Sequence, residues 1–279
     1  MVRVGPLLAL PAVLRSLGVD PPELLAELGL TGHFFEDPEN TLSMALAGRL
    51  LGLCVERTGC EHFGLLVGQH AGASSLGALG YLIRSSATVG DALATFSRHL
   101  DVQDQGGTVW IDSEGSHSIL GYTLFDAEVE SLDQITACAT AIGTNILRSL
   151  FGPPWRPEAV QFAFSRPRRP GPYERFFGVP PRFDADRSGI VFQSSLLSAE
   201  IGGRGNHLSP AARRSAPGAR VSAAGERADD SDRNCRSPWI RRPRQLHPSV
   251  PAVDRIGPCP VARKSEAFAV CGSARTRST

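Results

Sequence analysis

Apolar residues recur at helical or strand spacing from Leu7 to about Leu197, and from Arg204 onward no such period survives. The spacing predicts a first helix from Pro6 to Leu17, stopped by Gly18. Asp20-Pro21-Pro22-Glu23 then predicts a helix start, with Asp at the cap, Pro in the first turn and an acid three residues on. Leu24, Leu25 and Leu28 fill the helix, and Gly29 ends it. A third helix is expected from Ser43 to Arg57, with Leu46, Leu50, Leu53 and Cys54 on one face. Gly64, Gly68 and Gly72 fall four apart, a small-residue stripe that predicts a crowded loop-helix contact. Helices are expected again over 75–84 and 88–100, the second opened by Thr88 as cap and Asp91 as its reciprocal acid.

After Gly106-Gly107 the period changes to two. Residues 108–112 and 118–125 flank Ser113-Glu114-Gly115-Ser116 as a β-hairpin. A long helix is expected from Glu128 to Leu150, stopped by Gly152-Pro153-Pro154. Val160, Phe162 and Phe164 alternate as a strand, Tyr173–Phe177 makes a short helix, and residues 189–192 make a last strand. This order predicts an α+β fold: N-terminal helices, then a small, mainly antiparallel sheet packed on the long helix.

The tail has a different composition. Arg, Pro, Ala, Ser and Gly make up 48 of the 76 residues 204–279, and Trp239, Ile240, Leu246, Ile256 and Phe268 are isolated. Such a segment buries too little surface to offset its chain entropy, so disorder is expected there. The domain reading is therefore 1–203 and 204–279. The net charge of +1 conceals an asymmetry: the tail holds 15 Lys or Arg against 6 Asp or Glu, and the residues before it 14 against 22. The one lysine is Lys264, and so strong a bias toward Arg fits a GC-rich coding composition better than a dedicated phosphate-binding arm. The six cysteines form no CxxC pair, which predicts free thiols in a reducing cytoplasm. No apolar run reaches the roughly 18–20 residues of a membrane span, so no membrane is expected as a partner.

Catalytic and metal signals are weak. Cys60, His62 and His70 lack the paired spacing of a zinc site. Ala73-Ser74-Ser75-Leu76-Gly77 lacks the first glycine and the preceding strand of a nucleophile elbow, so a helix-capping serine is expected. Gly77-Ala78-Leu79-Gly80 lacks the strand and third glycine of a dinucleotide fingerprint. Glu128, Glu130 and Asp133 read as acids at a helix start rather than a catalytic pair, and Arg166, Arg168 and Arg169 as a solvated loop. Neither a catalytic residue, a cofactor nor a metal is expected. Tyr81, Arg84, Tyr122 and Gln134 carry polar tips within otherwise apolar elements, the pattern of a mostly apolar pocket with a few placed polar groups. They are the candidate effector contacts, with core residues whose tips reach the surface as the competing reading.

Three stretches carry a family resemblance: residues 77–93 (GALGYLIRSSATVGDAL), 155–162 (WRPEAVQF) and 173–185 (YERFFGVPPRFDA) leading into Ile190-Val191-Phe192. In that order, around a long helix near Ser131-Leu132-Asp133-Gln134, the chain from about Leu7 to Leu197 resembles the N-terminal effector-binding domain of AraC/XylS-type transcriptional regulators, in the arabinose-binding-like branch. The resemblance implies a small-molecule effector, a homodimer and a following domain with two helix-turn-helix units. Residues 204–279 show no such amphipathic helix pair. A frameshift after about Gly203 accounts for the abrupt change, and DNA is then reached only through the helix-turn-helix domain of an intact relative. Two alternatives stay open: a stand-alone protein that modulates full-length relatives by heterodimerising, and a small α+β enzyme.

Overall fold

The computed structural model describes residues 1–201. The disorder expected of residues 204–279 lies outside the described residues. Two short strands, β1 (Val2–Arg3) and β2 (Thr41–Leu42), pair antiparallel and gather the N-terminal helices α1 (Leu10–Ser16), α2 (Pro21–Glu27) and α3 (Met44–Thr58). The single helix expected over residues 6–17 is divided: a 3-10 turn covers Gly5–Leu7, and α1 begins only at Leu10. Pro11 is the reason, because a proline is tolerated in a first turn but removes a hydrogen bond from a helix interior. Ser43 caps α3 by accepting from Leu46 N at 3.1 Å, and Gly59, at φ +63°, ends it.

α4 (Phe63–Gly68), α5 (Gly77–Arg84) and α6 (Val89–His99) follow. Thr88 and Asp91 form the reciprocal cap at the start of α6, with Asp91 N donating to Thr88 Oγ1 at 3.1 Å. The hairpin is β3 (Gly107–Glu114) and β4 (His117–Leu124), turning at Gly115 with φ +61°. α7 (Leu132–Phe151) is the longest helix of the described residues, and β5 (Ala159–Gln161), α8 (Gly171–Phe177) and β6 (Gly189–Gln193) complete the fold. The second sheet has the order β3-β4-β6-β5, antiparallel throughout. This is the expected α+β arrangement, with α7 laid across one sheet face.

Two boundaries differ from the periodicity. α7 starts at Leu132 rather than near Glu128, because Asp126 Oδ1 accepts from Glu128 N at 2.9 Å and turns the chain first. Ser131 sits at φ +55°. β5 stops at Gln161 because the chain beyond it pairs with a different segment. Arg182 N donates to Val160 O at 2.9 Å, and Phe162 N to Arg182 O at 2.8 Å.

α7 is buried from all sides. Ile146 and Leu147 are fully buried against α6 and the sheet, each contributing roughly 1.5–3 kcal/mol of burial. Ala137 and Ala141 meet Leu65, Val160 and Phe162. α4 lies against it so closely that their backbones touch: a Cβ on Gly64 would stand 2.1 Å from Gln134 O, and one on Gly68 2.5 Å from Cys138 O. The glycine stripe is thus a helix-on-helix contact, where a loop-helix contact was expected. At Gly72 the nearest atom, Asn145 Cβ, is 3.3 Å away. Overpacking a core costs about 1–3 kcal/mol or more, so Gly64→Ala is expected to lose at least about 2 kcal/mol and Gly72→Ala under about 1 kcal/mol in urea denaturation. Equal losses at the two sites would contradict this packing.

Candidate functional site

Between α7 and the sheet lies a cavity of about 120 Å³. Ala139 and Gly143 of α7 line it together with Leu120 and Ile190 of the sheet, and at Gly143 the two elements are close, with a Cβ there standing 3.2 Å from Ile190. Met44 and Ala47 of α3, Leu7 of the N-terminal turn, and Phe96 and Leu100 close the other sides. The lining is apolar apart from Gln103, Asp104, Tyr122, Cys138 and Thr140. Thr140 returns its hydroxyl to Thr136 O at 2.8 Å, and the Gln103 amide donates to Leu76 O at 2.8 Å.

Asp104 and Tyr122 are the polar centre. The Tyr122 hydroxyl donates to Asp104 Oδ2 at 2.5 Å, and Gly106 N donates to Asp104 Oδ1 at 2.7 Å. Strand β1 backs the carboxylate: Arg3 N donates to Gln103 O at 2.8 Å, Gln105 N donates to Met1 O at 2.9 Å, and Val2 bridges Asp104. Asp104 is buried, so the tyrosine and the backbone amide replace the water it has lost. Burial first, and the Asp104 charge second, push the Tyr122 hydroxyl far above its ordinary range, so it stays a donor at any working pH.

The four candidate residues are not brought together. Tyr122 lines the cavity. Tyr81 and Arg84 stand outside it, exposed on α5, because that helix turns Leu79, Gly80 and Ile83 inward and leaves the intervening positions to solvent. Gln134 is buried, but it is occupied by the fold: Oε1 accepts from Gly64 N at 2.9 Å, and Nε2 donates to Glu61 O at 3.0 Å and to Asp133 Oδ2 at 2.7 Å. Asp104, Gln103, Ala139 and Gly143 carried no signal in the pattern. An acid before a Gly-Gly turn reads as loop, and small residues within an apolar stripe read as core.

Other candidate chemistry is dispersed. His70 is exposed, Cys60 is buried with its thiol pushed up by desolvation, and half-buried His62 is pushed down by the same cause and by Arg175. Among the described residues, no three His, Cys, Asp or Glu side chains are grouped to hold a metal ion. Ser75 closes a turn, its hydroxyl accepting from Gly72 N at 2.9 Å and donating to Gly72 O at 3.1 Å. Arg168 pairs with Glu61, and no described helix is long and apolar enough to cross a membrane.

Residues 18–201 match the family described as the arabinose-binding domain of AraC transcription regulator, N-term. The chain belongs to this family. An AraC-type arabinose-binding domain is a part of a transcription regulator, not an enzyme class. The chain is similar to the HTH-type transcriptional regulator VirS of Mycobacterium tuberculosis, in strains H37Rv and CDC 1551 / Oshkosh. The identity is 23% over 216 residues, which cover 77% of this chain. It spans 62% of the length of those curated relatives. Among solved structures it is similar to the transcriptional regulator CdpR from Pseudomonas aeruginosa, with a TM-score of 0.48 and 19% identity over 67% of this chain and 56% of that one.

Within this AraC-type domain, Cys138 borders the cavity and has its thiol pushed up to about 12 by desolvation alone. A folded pKa above the unfolded value of 9.0 gives stability that is present below about pH 9 and lost as pH rises toward 12. In that window the loss is about 1.4 kcal/mol per pH unit for one thiol. Urea denaturation of the wild type at about pH 8 and pH 10 should therefore show a steeper decline than Cys138→Ala, which lacks this thiol. Identical slopes would mean that the thiol is solvated.

Proposed function

We propose that residues 1–203 are the effector-sensing and dimerising domain of an AraC-type regulator, and that the effector binds in the cavity between α7 and the sheet. The observation that carries this reading is an apolar hollow between α7 and the sheet with one polar pair, buried Asp104 and half-buried Tyr122, at its edge. Pockets that recognise small molecules have this composition. Of the four candidate residues, Tyr122 enters the proposal as an effector contact.

A route from the cavity to the following chain supports the same reading. Phe96 of α6 lines the cavity, and the start of α6 pairs with the last described residues. Val89 N donates to Ala199 O at 3.0 Å, Ile201 N donates to Ala87 O at 3.0 Å, and Thr88 bridges Glu200. A ligand that favours one setting of α6 thereby favours one setting of the segment that leaves the domain, which is a population shift.

The chain is proposed to sense without reading DNA, because the sequence of residues 204–279 carries no apolar period of an amphipathic helix pair. It acts in the cytoplasm, without catalysis, and meets DNA through an intact relative. A second reading rests on the same composition: paired with a full-length relative, the chain blocks it. In a gel-retardation assay at physiological salt the purified chain is expected to shift no promoter fragment. Nanomolar, sequence-selective retardation would overturn the proposal. Co-purification with a full-length relative that then loses its own retardation would favour the second reading.

A further inference from the structure

We infer that the ligand of this cavity is a compact, largely apolar molecule with a single hydrogen-bond-donating head, neutral or cationic, and is neither a sugar nor a carboxylate. The inference rests on the proposed effector site and adds the chemical class.

Three observations carry it. The first is size: about 120 Å³ is of the order of the engineered cavity of about 150 Å³ that takes benzene, so the apolar body is about one ring or a short branched chain. The second is polarity. A pentose carries a hydroxyl on nearly every carbon, and each one buried without a partner opposes binding. The lining offers few partners for so many hydroxyls, because Thr140 spends its proton on Thr136 O and the Gln103 amide donates to Leu76 O. The family's descriptive sugar is therefore a poor fit here.

The third observation is the character of the polar pair. The Tyr122 hydroxyl spends its proton on Asp104, so toward a ligand it offers lone pairs. Asp104 accepts one bond at each oxygen, from Gly106 N and from Tyr122, and a carboxylate has room for about four. Both groups have lone pairs to spare and no proton to offer. A ligand carboxylate would bring no proton and would place a second negative charge beside a buried one.

Calorimetric titration of the full chain with phenol, benzoate and arabinose tests this. Phenol should bind at least about tenfold more tightly than benzoate, and arabinose should give no heat. Asp104→Asn should narrow the gap by raising the affinity for benzoate, which separates charge from size. Ala139→Phe, which fills the cavity, should abolish phenol binding, and its circular dichroism and denaturation midpoint establish whether it folds. If it does not, loss of phenol binding in Ala139→Leu serves the same purpose. Benzoate or arabinose binding as tightly as phenol, at a site that Ala139→Phe blocks, would overturn the ligand class and leave the cavity as the effector site. A phenol-benzoate gap unchanged in Asp104→Asn would overturn the charge argument. Phenol binding that survives both filling variants, or no binding by any of the three probes, would overturn the cavity as the effector site and the ligand class with it.

Discussion

The close approach of α4 to α7 is the constraint on which the rest of the domain depends. Gly64 and Gly68 let two backbones meet where any side chain would collide, and Gln134 ties the contact by bonding Gly64 N and Glu61 O. Gly48 does the same for α3, where a Cβ would stand 2.3 Å from Glu130 O. With one side of α7 held at backbone distance by α4, the helix has little freedom to shift and close the hollow that Ala139, Ile142 and Gly143 line. Cores pack to crystal-like density, so a hollow of this size persists only where the surrounding elements are held apart. Here they are held by contacts on the opposite side of the helix.

That hollow and its polar edge form one device. Asp104 is fixed from three directions, by Tyr122 of β4, by the backbone of Gly106 and by strand β1, at the border of an apolar space. A buried carboxylate that already accepts a bond at each oxygen favours a ligand that adds a donor and disfavours one that brings a like charge. Cavity walls belonging to α6 extend this to the end of the domain through the Thr88–Glu200 bridge.

Much of the architecture was legible in the sequence. Thr88 and Asp91, Ser43 and Gly59, and the hairpin around Gly115 were placed by local chemistry that the fold respects. The first helix and the start of α7 were misjudged where a local bond or a proline outweighed apolar spacing, at Pro11 and at Asp126. The site was less legible, for a physical reason. Gln134 is a candidate effector contact by its polar tip in an apolar helix, and in the fold that tip bonds Gly64 N, Glu61 O and Asp133. Tyr122 stood out for the same reason, and its partner Asp104, 18 residues earlier, carried no period that could announce it. A cavity is missing volume, and periodicity records which positions face inward rather than how completely they fill the interior.

The central claim is that an effector enters the space between α7 and the sheet, and methyl NMR of the purified chain tests it directly. On addition of phenol, the methyls of Leu120, Ile142 and Ile190 are expected to shift while those of Leu65 and Val160, on the far side of α7, hold their positions. Shifts concentrated at Leu79 and Ile83 beneath Tyr81 and Arg84, with the cavity methyls unmoved, would contradict the account.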